Sequence, residues 1–174
     1  AVLVDVVDRP AGNLSGGMRQ KLGFVLAMLH EPDLLVLDEP STGVDPVSRV
    51  ELWRLIANAA ASGTAVAMAT TYLDEAERAS QIAVLDGGRV IAAGTREEVM
   101  ASTPGYVTAP SAPTCAARAW RRGDAVRQWH PQKSGEGRGA AEGPPLATTD
   151  LEFEDVVIAY MLDKRATGQA VGGT

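Results

Sequence analysis

Two short stretches carry the residue types that could do chemistry. In "NLSGGMRQKLG", Asn13 to Gly23, Ser15 and the glycines Gly16 and Gly17 stand directly before a helix-period run. A serine there can cap the helix, the glycines let backbone N–H groups approach a ligand closely, and the helix start carries partial positive charge. Together they suit a phosphate. A plain Ser-capped helix with a flexible approach has the same residues, and on its own Ser-Gly-Gly favours that simpler reading. The second stretch shifts the balance. Asp38 and Glu39 follow the apolar run Leu34 to Leu37, at the end of a buried strand, where open α/β sheets keep their ligand sites. Such a pair can hold Mg²⁺ through water and orient an attacking water. A solvated loop is the competing reading, weakened because adjacent carboxylates repel each other without a cation.

The elements that must position these residues alternate in type. Met18, Leu22, Val25, Leu26 and Leu29 recur at helical spacing until Glu31-Pro32 stops the run. Leu34–Leu37 reads as a strand buried on both faces. Asp45-Pro46 opens a helix, with Asp as N-cap and Pro at the first helical position, and Val47, Val50, Trp53, Ile56, Ala57 and Ala60 form its expected buried stripe. Thr64–Thr71 is a second apolar strand and Leu73–Ala79 a short acidic helix. Ile82–Leu85 and Arg89–Ala93 flank a hairpin signal at Asp86-Gly87-Gly88. Thr95 and Glu98 form a capping box.

From Ser102 to Thr149 the composition turns to Pro, Gly, Ala and Ser with a net charge of +3, six Arg/Lys against three Asp/Glu. That predicts a linker or weakly structured appendage, with a small hairpin over Ala119–Trp129 turning at Gly123-Asp124. In the tail, Phe153, Val156, Val157, Tyr160 and Met161 share one helical face, followed by Lys164 and Arg165 at the dipole's negative end. The expected organisation is thus 1–101, 102–149 and 150–174.

Composition bounds the function. The 174 residues suit at most one folding unit, and scarce aromatics with abundant Ala, Val and Leu favour an α/β fold over an aromatic-rich sandwich. A net charge of −6 argues against a general nucleic-acid binder. No apolar stretch approaches the roughly 20 residues needed to span a bilayer. Cys115 is the sole cysteine, so neither an internal disulfide nor a Cys-based metal site can form. The start at Ala1, without Met or signal peptide, leads us to expect a piece of a longer protein.

In this order and spacing, "LSGGMRQKLG", "LLVLDEPSTGVDP" and "ATTYLDEAER" resemble the C-terminal part of an ABC-type ATPase domain, from the signature motif onward, over roughly Ala1 to Met100. The tail "DLEFEDVVIAYML" resembles bacterial multidrug-export ATPases, tandem-domain members included. The resemblance implies a partial P-loop NTPase fold with a largely parallel sheet flanked by helices, containing Leu34–Leu37, Thr64–Thr71 and Ile82–Leu85. It also implies a signature helix projecting from a smaller helical subdomain.

By the same resemblance, Leu14, Ser15, Gly16, Gly17 and Met18 match the signature, whose fifth position is usually Gln. In the family this motif contacts the γ-phosphate of ATP bound to the facing domain of a head-to-tail dimer, with Ser15 and the Gly17 amide as donors. Asp38 matches the Walker B carboxylate that helps hold Mg²⁺, and Glu39 the catalytic glutamate. Ser41 to Asp45 matches the D-loop, with Asp45 communicating across the dimer; its role as helix cap holds at the same time. Thr71 occupies the position of the family's switch histidine. It can hydrogen-bond a phosphate oxygen but cannot carry imidazolium charge, which implies slow or absent hydrolysis, or a degenerate half of a tandem pair.

The Gly-x-x-x-x-Gly-Lys-Ser/Thr phosphate loop does not occur, and the chain contains no Gly-Lys pair. The isolated chain is therefore expected neither to bind nor to hydrolyse ATP appreciably. Strands lacking upstream neighbours predict an open edge and poor solubility. The resemblance implies an ATP-binding subunit of an exporter, with ATP and Mg²⁺ as cofactors and a second ATPase domain and a transmembrane permease as partners. It would lie in the cytoplasm, peripheral to the membrane's inner face. Two alternatives stand beside it. One is a ribosome-associated non-transport ATPase, suggested by Arg118, Trp120, Arg121, Arg122, Arg127 and Trp129. The other is a non-catalytic module supplying only signature and dimer contacts.

Overall fold

The structure is a computed structural model that describes residues 8–131, 146 and 150–171. The chain divides into two compact units, residues 1–71 and 72–174.

In the first unit Ser15 caps α1 (Gly16–Met28), its side-chain oxygen accepting from the Met18 amide at 3.2 Å. The helix gives way at Leu29, and Glu31 turns the chain with φ 51° ahead of Pro32. β1 (Leu34–Asp38) and β2 (Ala65–Ala69) pair in parallel, Leu34 opposite Ala65 and Asp38 opposite Ala69. The crossover between them is α2 (Pro46–Ala61), capped by Asp45 with Pro at its start, as expected. Phe24, Leu35, Leu52, Ile56 and Ala59 form the core of this unit.

The faces differ from those the periodicity indicated. On α1 the inward positions are Gly17, Lys21 and Phe24, whereas Leu26 and Leu29 are 58% and 77% exposed. On α2 they are Leu52, Ile56 and Ala59, and Val47 and Val50 face outward. Both helices carry apolar residues on more than one side, so spacing alone does not select a face. The selection falls to close approach at Gly17 and to a Lys21–Glu51 ion pair. β1 is likewise covered on one side only: Leu35 is buried while Leu34 and Val36 are exposed. The signature-like helix packs directly on α2 and β1 through Phe24.

In the second unit α3 (Leu73–Ala76) precedes β3 (Ile82–Asp86) and β4 (Arg89–Gly94), an antiparallel pair. Its two-residue turn places Gly87 and Gly88 at φ 52° and 71°, the left-handed pair that a tight hairpin requires. The α/β class stands, but β3 pairs with β4 in a sheet of its own instead of extending the parallel pair, because the glycine turn delivers a partner strand locally. Thr95 and Glu98 close the capping box that opens α4 (Arg96–Ala101).

The stretch read as a linker contains β5 (Tyr106–Thr108), β6 (Ala119–Arg122) and β7 (Ala125–His130), an antiparallel sheet in the order β5-β7-β6. The β6–β7 hairpin turns at Gly123-Asp124, as expected. β5 is an addition, too short to leave a periodic signal. α5 (Phe153–Val171) buries Phe153, Val156 and Val157 against Ile82, Val99 and Met100, and Ala159 beside Val107 and Trp129. Full burial contributes about 1.5–3 kcal/mol for a side chain such as Phe153 or Val156. Because α5 runs on to Val171, Lys164 lies inside the helix rather than at its end, and its ammonium binds the Asp86 carboxylate at 2.7 Å.

Candidate functional site

Two helix starts lie side by side in the first unit. A Cβ on Gly17 would meet Ser48 Cβ at 2.5 Å and an Asp45 carboxylate oxygen at 3.3 Å, and one on Gly16 would meet the Gly43 carbonyl at 3.3 Å. Gly17 is therefore required for contact between α1 and α2, a demand that the sequence reading had assigned to ligand approach. Leu14 is buried and fixes the chain ahead of the cap, Ser15 and Gly16 are exposed, and Met18 is half-buried. These residues, with Asp45, form one cluster at the helix starts.

Asp45 accepts from the amides of Val47 and Ser48 at 3.1 and 3.0 Å. The Ser48 amide leads in holding its carboxyl below the usual carboxylate range, helped by the Ser48 hydroxyl and opposed by desolvation. The group stays ionised at the positive end of α2, where negative charge is favoured.

A second cluster sits at the carboxyl end of the parallel strands. Asp38 is the last residue of β1 and exposed. Glu39 leaves the strand with φ 44°, a left-handed backbone that costs a non-glycine residue roughly 1–2 kcal/mol. Three hydrogen bonds hold it there. Its amide donates to the Ala69 carbonyl at 2.9 Å, its carbonyl accepts from the Thr42 amide at 3.2 Å, and Glu39 Oε2 accepts from the Thr42 hydroxyl at 3.0 Å. Thr71 is exposed two residues beyond β2, the strand adjoining β1. A cleft of about 230 Å³ runs between α1 and β1, lined by Gln20, Phe24, Val36, Asp38 and Leu52 among others, so that Asp38 borders it.

Among the described residues no three His, Cys, Asp or Glu side chains gather to hold a metal ion. Asp38 and Glu39 fit an ion that takes its other ligands from phosphate and water, as Mg²⁺ commonly does, and do not build a protein cage. Sequence reading missed Thr42, Ser48, Lys21 and Glu51. Lys21 had a legible signal: it lies between Gly17 and Phe24 at i+4 and i+7 spacing, on the inward face.

Of the basic-aromatic residues of the second unit, Arg121 is exposed and the other five are engaged internally. Trp129 is fully buried, with its indole N–H on the Pro104 carbonyl at 2.7 Å. The Trp120 indole donates to Asp155 at 3.0 Å, and Arg122 pairs with Asp155 at 3.2 Å and also with Glu152. Arg127 faces the same carboxylate at 3.8 Å, and Arg118 lies over the Trp129 ring.

Residues 2–42, which contain the Ser15 and Asp38–Glu39 motifs, match the family model described as ABC transporter. The chain is 48% identical over 101 residues to the daunorubicin/doxorubicin resistance ATP-binding protein DrrA of Streptomyces peucetius, covering 58% of this chain and 31% of that one. It is 43% identical over 104 residues to the daunorubicin resistance ATP-binding protein DrrA3 of Streptomyces coeruleorubidus, covering 59% and 33%. This region is similar to ABC transporter ATP-binding proteins. The probable multidrug ABC transporter ATP-binding protein YbhF of Escherichia coli (strain K12) is 41% identical over 105 residues, covering 59% of this chain and 18% of that relative. The chain thus spans about a third of the length of the two Streptomyces relatives. Among the described residues, no helix is long and apolar enough to cross a membrane.

Proposed function

We propose that the chain serves as the signature-bearing part of an ATP-binding subunit of an ABC exporter. The observation that carries this reading is the paired helix start, where the Ser15-capped α1 and the Asp45-capped α2 meet at Gly17 and Ser48. On this reading the Ser15 hydroxyl and the Gly17 amide bind the γ-phosphate of ATP held by a facing ATPase domain. Met18 in the usual Gln position leaves those donors in place. Asp45 lies beside them on α2 and communicates with the facing domain.

In a complete site Asp38 would help hold Mg²⁺, which would supply charge neutralisation at the phosphates. Glu39 orients or deprotonates the attacking water. The Thr42 hydroxyl on Glu39 Oε2 limits the carboxylate's rotation. Thr71, at the same strand end, offers a hydroxyl and no charge. The names of the Streptomyces relatives specify drug resistance and ATP binding, which supports drug export as the coupled process; a membrane permease as partner and a cytoplasmic, membrane-peripheral location belong to the same proposal. With both Trp side chains and three of the four Arg residues engaged internally, the exposed Arg121 alone gives little support to an RNA surface.

Mixing the chain with an ATPase domain that bears an intact phosphate loop tests the reading. Stimulated hydrolysis that Ser15→Arg abolishes is the expected outcome. Equal stimulation by both forms contradicts it.

A further inference from the structure

Lys21 is buried on the inward face of α1, where a helix ordinarily keeps an apolar residue. Its ammonium meets Glu51 Oε2 of α2 at 2.5 Å. Lys21 lies six residues beyond the cap Ser15, and Glu51 six beyond the cap Asp45, so the pair joins equivalent levels of the two helices. One turn nearer the caps, Gly17 already touches Ser48. Further along, Phe24 joins Leu52 and Ile56 of α2 in the core, an apolar contact without directional bonds. The ion pair between these two contacts adds a directional link that fixes the register of both N-termini. Packing does not require a salt bridge here, since the Glu51 side chain is half-exposed, solvent screens the pair, and an apolar residue at position 21 would serve stability as well.

We infer that Lys21 and Glu51 are a positioning pair that locks the Ser15–Gly17 turn and the Asp45 cap into one body, so that the phosphate-facing helix start and the acid beside it move together. Neither residue touches nucleotide. The functional meaning rests on the role proposed above for these helix starts, whereas the geometry is testable without it.

The test is amide hydrogen exchange on the full 174-residue chain. The informative amides are Met18 and Arg19, which bond Ser15, and Ser48 and Arg49, which bond Asp45. In Lys21→Met, and separately in Glu51→Gln, these four are expected to exchange about tenfold faster or more, with the β5–β7 sheet unchanged. Lys21→Arg keeps a cation in place and is expected to restore exchange to near the wild-type rate. Unchanged rates, acceleration shared evenly by all amides of α1 and α2, or failure of Arg to rescue would each overturn the inference. If the unaltered chain fails to stimulate a partner ATPase while this exchange pattern holds, the proposed function falls and the pair stands.

Discussion

At Glu39 the left-handed backbone is offset by the Ala69 backbone bond and the Thr42 contacts, one of which holds the carboxylate. If this group activates water, Glu39→Gln in a complete site lowers kcat by about a hundredfold or more while KM stays within a few-fold. Steady-state kinetics of a domain carrying both motifs checks this; parallel loss in both constants would point to a binding role. Gly17→Ala drives a methyl into Ser48 Cβ, 2.5 Å away. Overpacking of that kind is expected to cost about 1–3 kcal/mol, measured by denaturant unfolding. Asp45 has a folded pKa held down chiefly by the Ser48 amide. Its contribution to the start of α2 is present above about pH 4 and is lost as pH falls through the depressed folded value. Exchange at Ser48 and Arg49 should therefore accelerate in that acid range. Caps were readable from sequence at Ser15, Asp45 and Thr95, because a cap is a local bond between a side chain and the next turn's amide. The Thr42 bond was not, since it depends on the unusual φ at Glu39.

The helices show why elements were easier to find than to orient. Existence followed from breakers such as Glu31-Pro32 and Ser62-Gly63, whereas facing depended on tertiary contacts at Gly17 and Lys21. The tail helix was legible in both respects, having one apolar stripe headed by Phe153. β5 was not legible: three residues carry no period, and its pairing with β7 brings together positions some twenty residues apart. Asp155 ties α5 to the β6–β7 hairpin, being fully buried and accepting from Trp120, Arg122 and the Glu152 amide. Asp155→Ala leaves buried donors and Arg122 without their acceptor. It is expected to cost about 3–5 kcal/mol in the unfolding of the second unit, followed by tryptophan fluorescence. Near the turn of β3 and β4, the Lys164 hydrogen bond holds the Asp86 carboxyl below its ordinary range, so acid releases this contact of α5 as pH falls through the lowered pKa.

Among the described residues, large apolar side chains remain exposed at Val25, Leu26, Leu29, Leu34, Val36, Val47 and Val50 of the first unit and at Leu85 and Val90 of the second. Replacing Leu26 and Leu29 by Gln should raise the soluble yield without lowering the melting temperature, which scattered surface changes seldom do. The central claim is the proposal that the site is a shared one, to which this chain would bring Ser15 to Gly17 and the Asp38–Glu39 carboxylates; its 174 residues contain no Gly-x-x-x-x-Gly-Lys-Ser/Thr loop. Its most direct test is sedimentation of the chain with a phosphate-loop-bearing ATPase domain, with and without Mg-ATP, alongside the chain alone. The account predicts association that requires Mg-ATP and disappears in Ser15→Arg, with no nucleotide carried by the chain alone. Association indifferent to nucleotide, or micromolar Mg-ATP binding by the chain alone, would contradict it.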